Sequence, residues 1–350
     1  MDSASSRDKR TYSIKENVPI IKPADRKLFY STYNKNNQPK GNCTTMEPFE
    51  VHILGCGSAL PTTRHNASTQ IVRIGNRQFM IDCGEGTQLQ LRKSHVHFSF
   101  IDHIFISHLH GDHCFGLIGL ISSFGLLGRK TPLHIYAPSP MEELMQPQLE
   151  FFCKELAYKV HFHTIDPSKN CVIYEDKVIT VETLPQKHRI PCCGFLFKEK
   201  PKPRHLKGDV IEFYRIPHYM RKAIKEGADF TTPEGNIIPN RNLTSDADPS
   251  RSYAYCSDTL PCPQNIPLIK GCNLLYHEAT FADDMKERAA YTHHSTARQA
   301  ATIAKEANAK GLVIGHFSSR YTDETQLLDE ARSIFPETSL ADEKKCFIVT

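Results

Sequence analysis

From position 46 onward the chain alternates short apolar runs with glycine, proline and polar punctuation, a texture that predicts many strands and fewer helices. FEVHILGCG, QIVRIG, QFMIDCG, HIFISH, LHIYAP, KVITVETL, YAYCSD, NLLYHE and GLVIGH read as strands, several of them ending in Gly, Asp or His. Helical spacing appears in MEELMQPQLEFFCKEL, interrupted by Pro147, and in STARQAATIAKEANAKG, where Ala297, Ala300, Ala301, Ala304 and Ala307 share one face. Thr296 and Gln299 can form a capping box for the second helix, and Gly311 supplies its stop. The apolar stretch from Cys114 to Gly128 is shorter than the roughly 20 residues of a membrane helix and predicts a buried helix with its following turn. Strands alternating with helices, together with strand pairs that lack them, imply a layered α/β protein on two sheets. Residues 1–45 show no such periodicity; polar and lysine-rich, they predict a disordered or loosely attached arm, with Met46 as an alternative true start.

Composition narrows the class. A chain of 350 residues, 39% hydrophobic, can bury a substantial core. Its formal charge of +4 permits an acidic partner without requiring one. Twelve cysteines are scattered with no C-x-x-C and no secretory signal, which points to a reducing cytoplasm instead of a disulfide scaffold. Cys192 and Cys193 read as small buried residues.

The densest chemistry is HIFISHLHGDHCFGL, residues 103–117, where three histidines and an aspartate fall within six residues at a strand end. A strand anchored by Ile104 and Ile106 stops at His108, and Gly111 allows a tight loop. Such a loop turns His108 and His110 toward one point and Asp112 and His113 toward a neighbouring one. Packing gives no reason to gather four ligand-type side chains there. Imidazole and carboxylate donors without thiolates favour zinc, with manganese or iron as alternatives, in a catalytic centre.

HLHGDH is the signature of the metallo-β-lactamase superfamily. ILGCGSALPT, IDCGEGTQLQL, HLHGDHCFGL, YCSDT, HEATF, HSTARQAA and GHFSSRY, in that order from about Met46 almost to the end, resemble the ribonuclease Z family of tRNA 3′-processing endoribonucleases. The resemblance implies a four-layer αβ/βα sandwich with the metals at one edge between the sheets and a protruding exosite arm. It implies two zinc ions per chain, one held by His108, His110, His188 and Asp258, the other by Asp112, His113, Asp258 and His316. Asp112 is implied as general base and His294, of the HST motif, as donor of the leaving-group proton. Plain alternatives stand beside these roles: His188 as a solvated loop residue, Asp258 as a turn cap, and the residues after His294 as a simple helix start. His293 competes with His294 but fits the family pattern less well. Asp82 is expected to support the centre as a hydrogen-bond acceptor.

Between His188 and Asp258 lies a polar insertion, residues 198–252, whose first part carries Lys198, Lys200, Lys202, Arg204, Lys207, Arg215, Arg221, Lys222 and Lys225 against four acidic residues. A charge excess is usually a solvated face, but at this position the resemblance implies an arm that grips precursor tRNA, often across a homodimer. One departure concerns PTTRHN, residues 61–66: a family loop associated with sensing the CCA end carries basic residues where Thr63 and His65 stand here. The expectation is therefore a zinc-dependent endoribonuclease, cytoplasmic and without a membrane span, that removes the 3′ trailer of precursor tRNA through a metal-activated water and leaves a 3′-hydroxyl. A hydrolase of small phosphodiesters or thioesters on the same fold is the alternative, and a catalytically silent RNA-binding relative a third reading.

Overall fold

Two seven-stranded sheets lie face to face in the computed structural model, which describes residues 47–94, 96–343 and 345–350. The arm expected over residues 1–45 lies outside the described residues. The first sheet contains β1 (Phe49–Gly55), β2 (Thr69–Ile74), β3 (Arg77–Ile81), β4 (Ile101–Phe105), β5 (Leu133–Pro138) and β6 (Val160–Ile165). The second begins with β7 (Val172–Glu175), β8 (Ile179–Gln186) and β9 (Cys192–Glu199). Short pairs follow in the insertion, β10 (His205–Leu206) with β13 (Thr244–Ser245) and β11 (Phe230–Thr231) with β12 (Ile237–Ile238). The second sheet then resumes with β14 (Ser252–Cys256), β15 (Leu274–Glu278), β16 (Leu312–Gly315) and β17 (Thr338–Leu340), while β18 (Cys346–Ile348) returns to pair with β1. Each of the nine apolar runs contains a strand.

Both sheets follow one plan, an antiparallel half joined to a parallel half. β3, β4, β5 and β6 are mutually parallel neighbours, as are β14, β15, β16 and β17. The inner faces meet through Phe49, Val72, Phe79 and Phe105 on one side and Phe195, Phe197 and Tyr253 on the other. The Phe105 ring lies 5.5 Å from Phe195 and 5.7 Å from Phe197. Burying each such side chain contributes about 1.5–3 kcal/mol.

Helices cover the outer faces. Leu117–Leu126 and Met141–Phe152 set Leu120, Phe124, Met141 and Met145 against Met80, Ile104 and Ile135 of the first sheet. The latter helix continues through Pro147, where the sequence suggested an interruption. Ala297–Glu306 covers the second sheet with its small-residue face and carries the expected Thr296/Gln299 capping box. Its alanines let the helix approach closely. The result is the helix–sheet–sheet–helix sandwich. The apolar run after His113 departs from expectation in one respect: the helix buries only one face, leaving Phe115, Leu126 and Leu127 exposed. No helix among the described residues is long and apolar enough to cross a membrane.

The insertion packs around its own small core of Ile216, Ile224, Phe230 and Leu243. It leaves from β9 and returns into β14, adjacent antiparallel strands that pair Lys198 with Ser252. A buried ion pair, Arg251 to Glu199 at 2.7 Å, closes its base. The basic run is less free than its sequence suggests. Lys198, Lys200, Lys202 and Arg204 pair with Glu182, Glu175, Glu199 and Asp246 respectively. Lys207, Arg215, Arg221 and Lys225 have no carboxylate partner among the described residues.

Candidate metal centre

Parallel strands end where their successors' loops can converge, and both parallel halves deliver polar residues to the same edge. β4 leads to His108, β14 to Asp258, β15 to Glu278 and β16 to His316, while the turn between β8 and β9 supplies His188. Two strand exits use left-handed backbone at non-glycine residues, that of β3 at Asp82, φ 56°, and that of β16 at His316, φ 61°. Such a conformation persists only where surrounding contacts over-determine it. Close backbone packing supports the HLHGDH loop from below: a Cβ at Gly84 would lie 2.5 Å from the Asp112 carbonyl oxygen, and one at Gly116 would lie 2.0 Å from that of Gly84.

The seven ligand-type residues anticipated from sequence gather into two adjoining clusters. In the first, His110 Nδ1 lies 3.0 Å from His108 Nε2 and 3.1 Å from His188 Nε2. Asp258 Oδ2 lies 3.6 Å from the former nitrogen of His108 and 3.8 Å from His188 Nε2. In the second, His113 Nε2 lies 3.4 Å from His316 Nε2 and 3.5 Å from Asp112 Oδ2, and His316 Nε2 lies 3.4 Å from the same Asp112 oxygen. Asp258 Oδ1 completes it, 3.4 Å from His113 and 3.1 Å from His316. Donors about 2.0–2.1 Å from a tetrahedral ion are separated by about 3.3 Å, so the spacing suits one divalent cation per cluster.

Hydrogen bonds on the far side of each ring decide which nitrogens face inward. His188 Nδ1–H donates to the His293 carbonyl at 2.9 Å and His113 Nδ1–H to Asp82 at 2.8 Å. The Ser107 hydroxyl gives its proton to Asp82, so His108 Nδ1 must donate to Ser107. The Thr280 hydroxyl gives its proton to Glu278, so His316 Nδ1 must donate to Thr280. In its neutral form each of these four imidazoles therefore turns an unprotonated Nε2 inward. Lone pairs facing lone pairs repel unless a cation sits between them, and Asp258 Oδ1 is buried with no hydrogen-bond partner. The donor set fits metal ions.

Electrostatics agrees. Burial pushes His108 well below the ordinary imidazole range and His188 down to about 4, which keeps both neutral as ligands must be. Burial also acts against a charge on His113, but the carboxylates of Asp258, Asp112 and Asp82 outweigh it and raise its pKa, marking a point where positive charge is favoured. Asp112 stays ionised: burial opposes the charge, yet His113 and His316 hold its carboxyl well below the usual range.

Asp82 does what was expected of it, accepting from His113, Ser107 and the Tyr255 hydroxyl. His294 lies beside the clusters, its ring 5.3 Å from His316 and 5.2 Å from His188. Its Nδ1–H donates to Glu278 at 2.9 Å. Burial alone would depress His294, but the Glu278 carboxylate lifts its pKa to about 9. Sequence reading missed Glu278, a fully buried carboxylate that also accepts from the backbone of Thr259, Thr280 and Ser295. The signal was present: an acidic residue closing the apolar strand NLLYHE. His293, the competitor, takes a left-handed conformation at φ 58° and contributes its carbonyl. Asp112, His110, His188, Asp258, His294 and His316 line one cleft of about 750 Å³.

In the loop of residues 61–66, where Thr63 and His65 were expected to depart from the family pattern, the positive charge is engaged. Arg64 is held by Glu324 at 2.6 Å, and His65 lies 3.1 Å from Glu343 and 3.3 Å from Glu324. Neither lines the cleft.

Comparison with known proteins places this architecture. A family model described as anti-Pycsar protein Apyc1 matches residues 49–332. The ribonuclease Z of Bacteroides thetaiotaomicron is 59% identical over 304 residues, covering 87% of this chain and 96% of that protein. The crystal structure of human tRNase Z, short form, superposes with a TM-score of 0.62 at 27% identity, covering 86% of this chain and 99% of that one. The metallo-β-lactamase fold protein YhfI from Bacillus subtilis shares the fold at TM-score 0.62 and 19% identity, over 86% of this chain and 99% of that one. The fold implies a divalent metal, and the chain is a member of the ribonuclease Z family, on the metallo-β-lactamase fold that the anti-Pycsar model also spans.

Proposed function

We propose that this chain removes the 3′ trailer from precursor tRNA by hydrolysing one phosphodiester bond at a pair of zinc ions, with residues 46–350 as the catalytic domain and 198–252 as its RNA-gripping arm. The observation that carries the reading is Asp258, whose two carboxylate oxygens face separate ligand clusters at the floor of a cleft shared with His294. His108, His110 and His188 would hold one ion, Asp112, His113 and His316 the other, and Asp258 both. When bound, such ions supply Lewis-acid stabilisation of the phosphoryl charge and activate a water near neutral pH.

The chain's own residues do the rest. Asp112, fixed by the Ala59 backbone N–H at 2.8 Å, presents an ionised carboxylate that accepts the proton of the attacking water. His294 is held by Glu278 through Nδ1, which leaves Nε2–H to protonate the departing 3′-oxygen. The tRNA then carries a 3′-hydroxyl and the trailer the phosphate. Exposed Leu126 and Leu127 on one outer helix and Phe151 and Phe152 at the end of its neighbour support assembly as a homodimer. All eleven described cysteines are free, which supports a reducing, cytoplasmic setting.

The test is incubation of an unmodified precursor tRNA with the protein, with and without chelator, and mapping of the cut to a nucleotide. A single chelator-sensitive cut at the trailer junction is expected. Hydrolysis of bis(p-nitrophenyl) phosphate without any cleavage of the precursor would defeat the assignment.

A further inference from the structure

We propose that Tyr291, bracketed by Arg189 and Arg288, forms a stacking subsite for the unpaired nucleobase immediately 5′ of the scissile phosphate, the last nucleotide retained on the tRNA. The inference rests on the proposed RNA cleavage and assigns one nucleotide to one patch of the cleft rim.

Tyr291 is 75% exposed, an unusual position for a large aromatic ring. It lies in the last turn of the helix Lys286–Thr292, which ends where His293 reverses the chain in left-handed conformation. The reversal is secured by the His294 N–H bonding the Ala289 carbonyl at 2.8 Å. The His293 carbonyl also accepts from the metal-centre residue His188. Tyr291 is thus tied through the backbone to both His294 and His188.

Two guanidiniums flank the ring, Arg189 at 5.9 Å from its centroid and Arg288, one turn earlier, at 6.0 Å. Arg189 also donates to the Tyr291 carbonyl at 3.4 Å. Both arginines line the cleft, and among the described residues neither has a carboxylate partner. Arg64, Arg77, Arg129 and Arg251 in the same chain are all paired with acids. Guanidiniums that lie over an exposed ring and have no carboxylate partner suit a single-stranded nucleotide, whose base takes the place of one of them on the ring while that arginine meets the phosphate.

Direction follows from the chemistry. His294 protonates the oxygen that stays with the tRNA, so the rim on its side faces the nucleotide bearing that oxygen. A nucleobase stacked there is ordered before cleavage, which raises the fraction of bound substrate in line for attack.

The test is a cycle of two enzymes and three substrates under single-turnover conditions: wild type and Y291A, each with intact precursor tRNA, precursor abasic immediately 5′ of the cut, and precursor abasic at the first trailer nucleotide. Wild-type cleavage of intact precursor reports on the function itself, and the cycle reports on the subsite, so the two fail separately. Y291A is expected to lose roughly 5- to 100-fold in kcat/KM on the intact precursor, with Y291F recovering most of it. On the 5′-abasic substrate, wild type and Y291A should be nearly equal. An equal loss on intact and 5′-abasic substrates, or a coupling that follows the trailer nucleotide instead, would overturn the assignment. Zinc content and melting temperature of Y291A establish that the variant is folded.

Discussion

Oδ1 of Asp258 lies 3.1 Å from Nε2 of His316 and has no hydrogen-bond partner, while Nδ1 on the other side of that imidazole meets the Thr280 hydroxyl. A buried carboxylate oxygen facing an imidazole nitrogen at that separation suits a cation between them, and the carboxylate makes the centre one unit, since it reaches the His108 cluster through Oδ2.

Asp258→Ala should therefore empty both positions, not one. Zinc measured on purified protein is expected to fall from two equivalents per chain toward zero, and precursor cleavage to drop on the order of 10³-fold or more. Loss of a single equivalent with the other retained would show that Asp258 does not bridge. Asp82→Asn, outside both ligand clusters, should weaken zinc binding by about 10- to 100-fold in a chelator competition, since it loosens the hydrogen bond that orients His113.

His294→Ala should leave zinc content at the wild-type value while lowering single-turnover cleavage about 10²- to 10⁴-fold. Glu278→Gln keeps the side-chain size and one acceptor oxygen for His294 but removes the charge that raises it and sets an amide NH₂ against the Thr280 donors. The expected signature is a pH–rate profile whose alkaline limb moves to lower pH, because His294 would lose its proton sooner. An alkaline limb unchanged in Glu278→Gln would assign that limb to another group.

The insertion offers a prediction that separates its two halves. Lys207, Arg215, Arg221 and Lys225 lack carboxylate partners among the described residues, whereas Lys198, Lys200, Lys202 and Arg204 are paired. Alanine at each residue of the first group that meets a phosphate should reduce the salt dependence of precursor binding by about 1 in the log–log slope. Alanine at Lys200 or Lys202 should change it little. Equal slopes for all of these variants would remove the arm from phosphate contact.

Away from the metals, the loop around His65 should make stability depend on pH. Its hydrogen bond to Glu343 raises the His65 pKa above 6.5. Glu343 is opposed by burial but lowered below 4.5 by His65 and the Asn66 backbone. The raised histidine contributes stability that is complete below about 6.5 and fades as pH rises through its folded value. The depressed glutamate contributes above about 4.5 and fades as pH falls. Both charges are present between those limits, so His65→Ala should cost most there, about 1–2 kcal/mol by denaturant unfolding, and less on the alkaline side. A difference constant from pH 5 to 9 would show that the pair carries no net charge coupling.

Much of this protein was decided locally. The short apolar runs, six of them ended by Gly, Asp or His, specified nine strands, and Thr296 with Gln299 specified a helix start, because these signals depend on neighbours a few residues away. The crowding of His108, His110, Asp112 and His113 likewise announced a metal site from one loop. β9 escaped notice because CCGFLFKE is buried on both faces and has no alternation to read. What tertiary structure alone decided is which residues share an ion and which charges are free. His188, Asp258 and His316 are separated by 70 and 58 positions in the chain, and only the stacking of two sheets with their parallel halves at one edge brings them within 4 Å of a common carboxylate. Glu278 gained its role from His294 sixteen residues away, and Arg64 of the 61–66 loop and Arg204 of the insertion are engaged by acids elsewhere in the fold. Ligand types are a property of the chain; coordination and pairing are properties of distance, which only packing sets.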